Sequence, residues 1–156
     1  ILVGALEENI NLNLKLVGGG KLKVEEIKLL SKISKKRYLH YEQVSNQELN
    51  LLYNQAFCLV YPSSYEGFGI PVIEAQSAGC PIIAANRSSL PEIIGDSGIL
   101  VDNLSSTGLS NAIKLLENNI LRDKYIKLGL QNAKQFSWKK MAEEYLILYK
   151  KLWELC

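Results

Sequence analysis

Two carboxylates, Glu66 and Glu74, are separated by seven residues, and the run between them opens Gly67-Phe68-Gly69-Ile70-Pro71. A pair of acids can cleave a sugar bond when an acid and a nucleophile or base stand about 5 to 9.5 Å apart across it. The intervening residues point to different chemistry. Glycine permits backbone turns that other residues resist. Proline suits the first turn of a helix, where its missing N–H costs nothing. The spacing therefore predicts a helix starting at about Ile70 or Pro71, with free amides at its N-terminus. Such an end attracts anions through its unpaired N–H groups and the helix dipole, and a diphosphate is the natural occupant. A glycoside hydrolase has no need of that feature between its two acids.

Two readings are open for Glu74. A carboxylate one turn into a helix is favoured by the dipole alone. It can also accept hydrogen bonds from a vicinal diol such as the 2′ and 3′ hydroxyls of a ribose, as carboxylates do in dinucleotide sites. Glu66 precedes the glycines at a strand end, where burial without a partner would be costly, so a polar ligand group is its expected contact. Tyr65 and Phe68 either wall a sugar pocket or pack. Lys21, Lys23 and Arg87 follow crevice loops, but surface cations are usually only solvated. His40 has no visible carboxylate or nucleophile partner and reads as a strand residue.

The elements that must position these groups alternate along the chain. Leu12–Val17 reads as a strand ending at Gly18-Gly19-Gly20, followed by helical spacing of Val24, Ile27, Leu30 and Ile33. A short strand is expected at Tyr38–Tyr41, then a helix capped by Ser45 or Asn46 with Leu49, Leu52 and Ala56 on one face. Phe57–Tyr61 is apolar throughout, as in a strand covered on both faces. A helix from Ile70 to about Ala78, a strand over Pro81–Ala84, a brief helix near Leu90–Ile94 and a strand at Ile99–Val101 follow. Three helical stretches (Ser106–Asn119, Leu121–Gln135, Trp138–Leu155) end the chain.

This alternation predicts an α/β fold: a doubly wound, Rossmann-like parallel sheet of about five to six strands with helices on both faces. Ligands of such sheets bind beyond the carboxyl ends of the strands, where Gly18–Gly20, Ser63–Pro71 and Asn86–Ser89 converge. Residues 137–155 carry an apolar stripe of Trp138, Met141, Tyr145, Leu148 and Leu152. Packing on the core of the same domain is the first expectation for it, contact with another domain the second.

The 156 residues, 47% hydrophobic and 22% charged, suit one domain with its own core, spanning 1–156. A formal charge of +2, with lysines spread along the chain, gives no ground for nucleic-acid binding. Apolar runs fall far short of the roughly 20 residues a membrane span needs. Three cysteines without CxxC spacing read as reduced thiols of a cytosolic protein, Cys80 as a small core residue. One histidine leaves no metal-ligand pattern, so no metal is expected.

SSYEGFGIPVIEAQSAGCPIIAANRSSLPEIIGDSGILVD, residues 63–102, resembles the donor-site pattern of the family 4 retaining glycosyltransferases, which have the GT-B fold. The resemblance extends through VSNQELNLLYNQAFCLVYPSS upstream and FSW near the C-terminus. It implies the C-terminal, donor-binding half of such an enzyme. Glu66 would contact hydroxyls of the transferred sugar and serve catalysis. Gly67, Phe68, Gly69, Ile70, Pro71 and Val72 would lend backbone to sugar and diphosphate, Glu74 would bind the ribose, and Gly18 and Gly19 would approach the phosphates. The base would lie near Tyr41–Val44, where Tyr-Glu-Gln stands in place of a common glycine.

No cofactor is implied beyond the nucleoside diphosphate sugar itself, and no metal. The expected acceptor is a glycan or lipid-linked glycan. The expected location is the cytoplasm, with any attachment to the inner face of a membrane made through the full-length protein. The family's acceptor-binding N-terminal domain, and the Arg and Lys that hold its diphosphate, would lie before Ile1. The 156 residues alone are therefore expected to bind donor weakly and transfer nothing measurable. A sugar-nucleotide epimerase half and a non-catalytic binding module are the competing readings.

Overall fold

The computed structural model of the chain describes residues 1–9, 11–33 and 37–154. In chain order the elements are α1 (Leu2–Glu8), β1 (Leu14–Val17), α2 (Val24–Leu30), β2 (Tyr38–Tyr41), α3 (Asn46–Gln55), β3 (Leu59–Tyr61) and α4 (Ile70–Ser77). Then come β4 (Ile82–Ala85), α5 (Leu90–Ile94), β5 (Ile99–Val101), α6 (Ser106–Glu117), α7 (Asn119–Ala133) and α8 (Trp138–Trp153). The expected order of strands and helices is met. Ser45 caps α3: its hydroxyl accepts from the Glu48 amide at 3.2 Å while the Ser45 amide donates to the Glu48 carboxylate at 2.8 Å. The far end of the expected last helix, Leu155, and the third cysteine, Cys156, lie outside the described residues.

Period-two alternation sorts the strand side chains onto two helical layers. Leu59, Tyr61, Ile82, Ala84 and Leu100 face a core built with Tyr53 of α3, Val72 and Ala75 of α4, and Leu90 and Ile93 of α5. Val60, Ile83, Ile99 and Val101 face the other way, onto Ala5 of α1 and Leu109, Ala112, Ile113 and Leu116 of α6. Leu14 and Leu16 of β1 pack on the α1 side with Leu6 and Leu30. This is the expected α/β fold with parallel strands and helices on both faces.

The strands divide into two ladders, β1–β2 and β3–β4–β5. No ladder joins β1 to β3 among the described residues, a separation that hydrophobic alternation could not forecast. Alternation reports which faces a strand buries, not which strand lies beside it. The division shows in burial. Every residue of β4 is buried, whereas β3, read as covered on both faces, is half-buried along its length.

The expectation that the last helix packs on the domain core is overturned. No residue of α8 is buried; Trp138, Tyr145 and Leu152 are all more than half exposed. The stripe is regular in sequence, and one short link, Lys134–Ser137, connects it to α7, yet amphipathicity alone did not bring it onto the core. Its exposed lysines pair locally, Lys139 with Glu143 and Lys140 with Glu144, at about the edge of ion-pair range. No described helix is long and apolar enough to cross a membrane.

Candidate functional site

The segment between β3 and α4 is shaped by one backbone choice. Gly69 caps α4 in the left-handed region (φ 107°), and Pro71 sits in the first turn behind it. A Cβ on Gly69 would stand 3.1 Å from Cδ2 of the buried Leu90, so conformation and space both call for glycine here. Gly67 is different: its φ is not in the left-handed region, and a Cβ there would meet nothing within 4 Å. Open space, not backbone strain, is what Gly67 supplies.

The helix start offers fewer donors than the resemblance implied. Pro71 has no N–H, and the Val72 amide is spent on the Gly69 carbonyl at 3.0 Å, with the Val72 side chain in the core. Those two residues therefore hold the turn and do not donate from it. The amides of Gly67, Phe68, Gly69 and Ile70 are the ones outside the helical ladder. Phe68 is half-exposed and packs edge-on against Phe136, ring centroids 5.6 Å apart, which ties the FSW stretch to this loop. Tyr65 is 81% exposed and packs on little.

Glu66 is held from several sides. Its carboxylate accepts from the Tyr61 hydroxyl at 2.7 Å. Its carbonyl accepts from Ser88 Oγ at 2.8 Å and Ser89 Oγ at 3.0 Å, and Ser89 also donates to the Phe68 carbonyl at 3.0 Å. Hydrogen bonds from Tyr61 and then Ser63 pull the Glu66 carboxyl below the ordinary carboxylate range. Burial, reinforced by the bond to Glu66, pushes the Tyr61 hydroxyl up to about 12. Glu66 is thus an ionised acceptor near neutral pH, with lone pairs left for hydroxyls.

Glu74 projects from the first turns of α4 toward α3. The Tyr53 hydroxyl donates to it at 3.4 Å, and it lines a shallow hollow of about 250 Å³ with Asn46, Leu49, Asn50, Tyr53 and Ser77. Burial and the neighbouring Glu74 raise the Tyr53 hydroxyl well above its usual value. Polar amide and carboxylate groups around an open hollow can read hydroxyls and polar ring edges.

Beyond β1, Gly18, Gly19 and Gly20 take left-handed φ values of 82°, 77° and 68° in succession. The Gly18 amide donates to the Tyr41 carbonyl at 2.9 Å, and the His40 ring lies 3.3 Å from the Gly18 carbonyl through Nε2. His40 therefore steadies the glycine turn from the neighbouring strand. Tyr41–Val44 continues from there at the carboxyl edge. Lys21, Lys23 and Arg87 are exposed.

Sequence reasoning missed Tyr61, Ser88 and Ser89 as the supports of Glu66. Ser88 is the non-glycine residue with a left-handed φ (54°) among the described residues, and Ser89 begins α5 without capping it, because its hydroxyl serves the facing loop. Behind the site, the buried Gln76 donates to Ser97 Oγ at 2.7 Å and accepts from Asn132 at 2.8 Å, locking α4 to α7 and to the turn at Gly95–Ser97. Cys58 and Cys80 are free thiols, pushed up to about 12 and about 11 by burial. Among the described residues no cluster of His, Cys, Asp and Glu could hold a metal ion.

Known proteins carry the same pattern. The O-antigen chain mannosyltransferase B of Escherichia coli is 40% identical over 117 residues, covering 74% of this chain and 30% of that protein. Sucrose-phosphate synthase from Thermosynechococcus elongatus superposes with a TM-score of 0.86 at 26% identity, over 99% of this chain and 42% of that one. The Anabaena protein HepE, solved in complex with UDP-glucose, shares the fold at a TM-score of 0.83 and 18% identity, over 96% of this chain and 44% of that one. The chain thus spans less than half the length of these relatives. Residues 2–136 match the family described as glycosyl transferases group 1, and the chain belongs to that family.

Proposed function

We propose that this chain is the donor-binding part of a retaining glycosyltransferase. The longer enzyme would move a hexose from a nucleoside diphosphate sugar to a glycan or lipid-linked acceptor in the building of a polysaccharide or surface glycan. The observation that carries the reading is the α4 start. Gly69 turns the chain so that the amides of Gly67–Ile70 lie outside the helical ladder, with Glu66 on one side and Glu74 on the other. Anions favour such an end by about 0.3 to 2 kcal/mol. Glu66 then accepts from sugar hydroxyls, Glu74 from the ribose, and Gly18 and Gly19 allow close approach on the phosphate side. The relatives support the substrate class: one is named for O-antigen mannosyl transfer, another was solved with UDP-glucose.

Catalysis would rest on stabilising the diphosphate as it leaves. The acceptor attacks from the face the diphosphate departs, and the diphosphate takes up the acceptor's proton, with no metal. The helix end alone is weak for this, and an Arg and a Lys ahead of Ile1 would each add charge-assisted bonds of about 1.5 to 3 kcal/mol. The Glu66 carboxyl, held below the ordinary range, is unsuited to be the general acid of a glycoside hydrolase, and the free amides of the α4 start between the two acids are what favour transfer from a diphosphate over hydrolysis.

The test is titration and turnover of the full-length protein with UDP-, GDP- and ADP-sugars and the bare nucleotides. Glu74→Ala should weaken the bare nucleotide about tenfold, on the order of one charged hydrogen bond. Glu66→Ala should leave the nucleotide nearly unaffected and lower sugar-dependent turnover by about a hundredfold or more, the scale of one lost transition-state contact. Normal binding and turnover by both variants would refute the site. Robust transfer by the 156 residues alone would refute the dependence on the missing cations.

A further inference from the structure

We propose that Ser88 is a positioning residue for Glu66, holding the backbone of that acid so that its carboxylate oxygen Oε2 faces the transferred sugar. The inference rests on the sugar-binding role proposed above for Glu66.

Glu66 is gripped at both ends. At the side-chain end, the Tyr61 hydroxyl of β3 donates to Oε1 at 2.7 Å, which leaves Oε2 to accept from a ligand. At the backbone end, the Ser88 hydroxyl makes two bonds: its Oγ accepts from the Glu66 amide at 3.3 Å and donates to the Glu66 carbonyl at 2.8 Å. Ser89 Oγ donates to the same carbonyl at 3.0 Å. A glutamate side chain has several rotatable bonds, so a grip on one oxygen aims the other only where the backbone is fixed as well.

Local stability does not account for the serines. Ser88 takes a left-handed φ of 54°, which glycine adopts without steric cost and a residue with a Cβ does not. The residue is exposed, so water could satisfy its hydroxyl, and burial forces neither bond. Ser89 stands at the N-cap of α5, where a serine ordinarily accepts from an amide of the first turn, yet it makes no such bond. Two adjacent serines therefore forgo a locally better arrangement, and both hydroxyls go to the Glu66 carbonyl. Backbone held in a sparsely populated region gathers at functional sites, where the surrounding structure fixes it.

The loop that carries the serines has a firm base. The Asn86 amide donates to the Val101 carbonyl at 3.1 Å and the Asn86 side chain to Asp102 Oδ1 at 2.5 Å, which pins the loop to the end of β5. Beyond it, the Leu90 amide bonds the Arg87 carbonyl at 3.2 Å, and the buried Leu90 side chain lies against Gly69. One carboxylate thus takes its orientation from three strands: Tyr61 on β3, the serines after β4, and Asn86 tied to β5. Among the described residues the Ser88 hydroxyl bonds only Glu66, and Glu74 takes its own bond from Tyr53 of α3. Loss of the Ser88 hydroxyl should therefore fall on the sugar and not on the nucleoside.

The experiment uses the full-length protein as parent, Ser88→Ala, Ser88→Gly, Glu66→Ala and the double variant Ser88→Gly/Glu66→Ala. Affinities for UDP, GDP and ADP and for UDP-glucose, GDP-mannose and ADP-glucose are measured by calorimetry, release of nucleoside diphosphate from the preferred donor is timed, and thermal midpoints are recorded. Both Ser88 variants are expected to lower kcat for release about tenfold or more, the scale of a reacting group displaced by a fraction of an ångström. The bare-nucleotide Kd should stay as in the parent, and KM should change less than kcat. Stability should run the other way, since Ser88→Gly relieves the left-handed backbone and should melt above Ser88→Ala. In the Glu66→Ala background, Ser88→Gly should lower kcat no further. The ratio of donor affinity to bare-nucleotide affinity should fall in the same variants, and it is the readout should release without an acceptor be too slow to time.

A kcat that follows stability, normal in Ser88→Gly and low in Ser88→Ala, would make Ser88 a merely structural residue and overturn the proposal. Normal release and affinity in both variants overturn it too, as does a full further loss in the double variant. Failure of the underlying reading looks different: Glu66→Ala itself would then leave release and the affinity ratio unchanged.

Discussion

The β3–β4–β5 half and the β1–β2 half of this molecule are built from the same unit, a short parallel strand feeding a helix, yet they are consolidated to different depths. In the first, β4 is wholly buried, α4 is locked from behind by Gln76, Ser97 and Asn132, and Glu66 is gripped by Tyr61 while Ser88 and Ser89 hold its loop. In the second, β1 pairs with β2 alone among the described residues, Val17 is exposed, and the Gly18–Gly20 turn rests on one amide bond to Tyr41 and the His40 ring. The lesson is that a crevice at the carboxyl edge inherits the order of the strands beneath each wall. The groups assigned to sugar and ribose stand on the finished half, and the loop assigned to phosphate approach stands on the open one.

Substitutions can break this contrast or sharpen it. Gly69→Ala should have the largest effect on stability, roughly 2 to 3 kcal/mol in urea denaturation, because it adds a left-handed penalty to a 3.1 Å approach to Leu90. A cost near zero would mean the α4 start is looser than its burial implies. Asn132→Ala should cost about 1 to 3 kcal/mol, leaving Gln76 Oε1 and the Ile93 carbonyl without this donor in a buried place. Gly19→Ala puts a Cβ at φ 77° with nothing within 4 Å, so only the backbone penalty of about 1 kcal/mol remains. If Gly19→Ala proved costlier than Gly69→Ala, the ranking of the two halves would be reversed.

Protonation gives the smallest effect. The Glu66 carboxyl is lowered on folding, so its contribution is complete above the unfolded value of about 4.3 and is lost as pH falls through the folded one. Tyr61 is raised to about 12, so its contribution is complete below about 10 and is lost as pH rises toward about 12. Tyr61→Phe should remove one raised tyrosinate transition from an ultraviolet titration, leaving that of Tyr53, and bring Glu66 back toward the ordinary carboxylate range. An unchanged titration would detach Glu66 from the pair.

Local chemistry made much of this legible from residues alone. Gly69 and Pro71 announce the α4 start, Gly18–Gly20 announce a turn after β1, and the period of the apolar residues separates strands from helices, although α2 stops at Leu30, before Ile33. These are decisions taken within one turn or one strand, where φ restrictions and side-chain alternation act directly. The exposure of α8 was not legible, because an amphipathic stripe specifies that a face is apolar without saying what covers it. The supports of Glu66 were hidden for a related reason. Tyr61 is an ordinary strand residue in sequence, and Ser88 and Ser89 lie more than twenty residues from the glutamate whose loop they hold.

Residue types and near-neighbour spacing carried the fold class and the pair of acids flanking a glycine-rich helix start, while the family was reached through the resemblance of residues 63–102 to a known donor-site pattern and is shown by the match over residues 2–136. Residue type already denies Pro71 a donor, whereas the packing of the whole chain settles that the Val72 amide is spent on the Gly69 carbonyl, that the Glu66 carboxylate accepts from Tyr61, and that no ladder joins β1 to β3 among the described residues. Those depend on which distant segments meet, and lateral strand neighbours and buried hydrogen-bond partners are fixed by the packing of the whole chain.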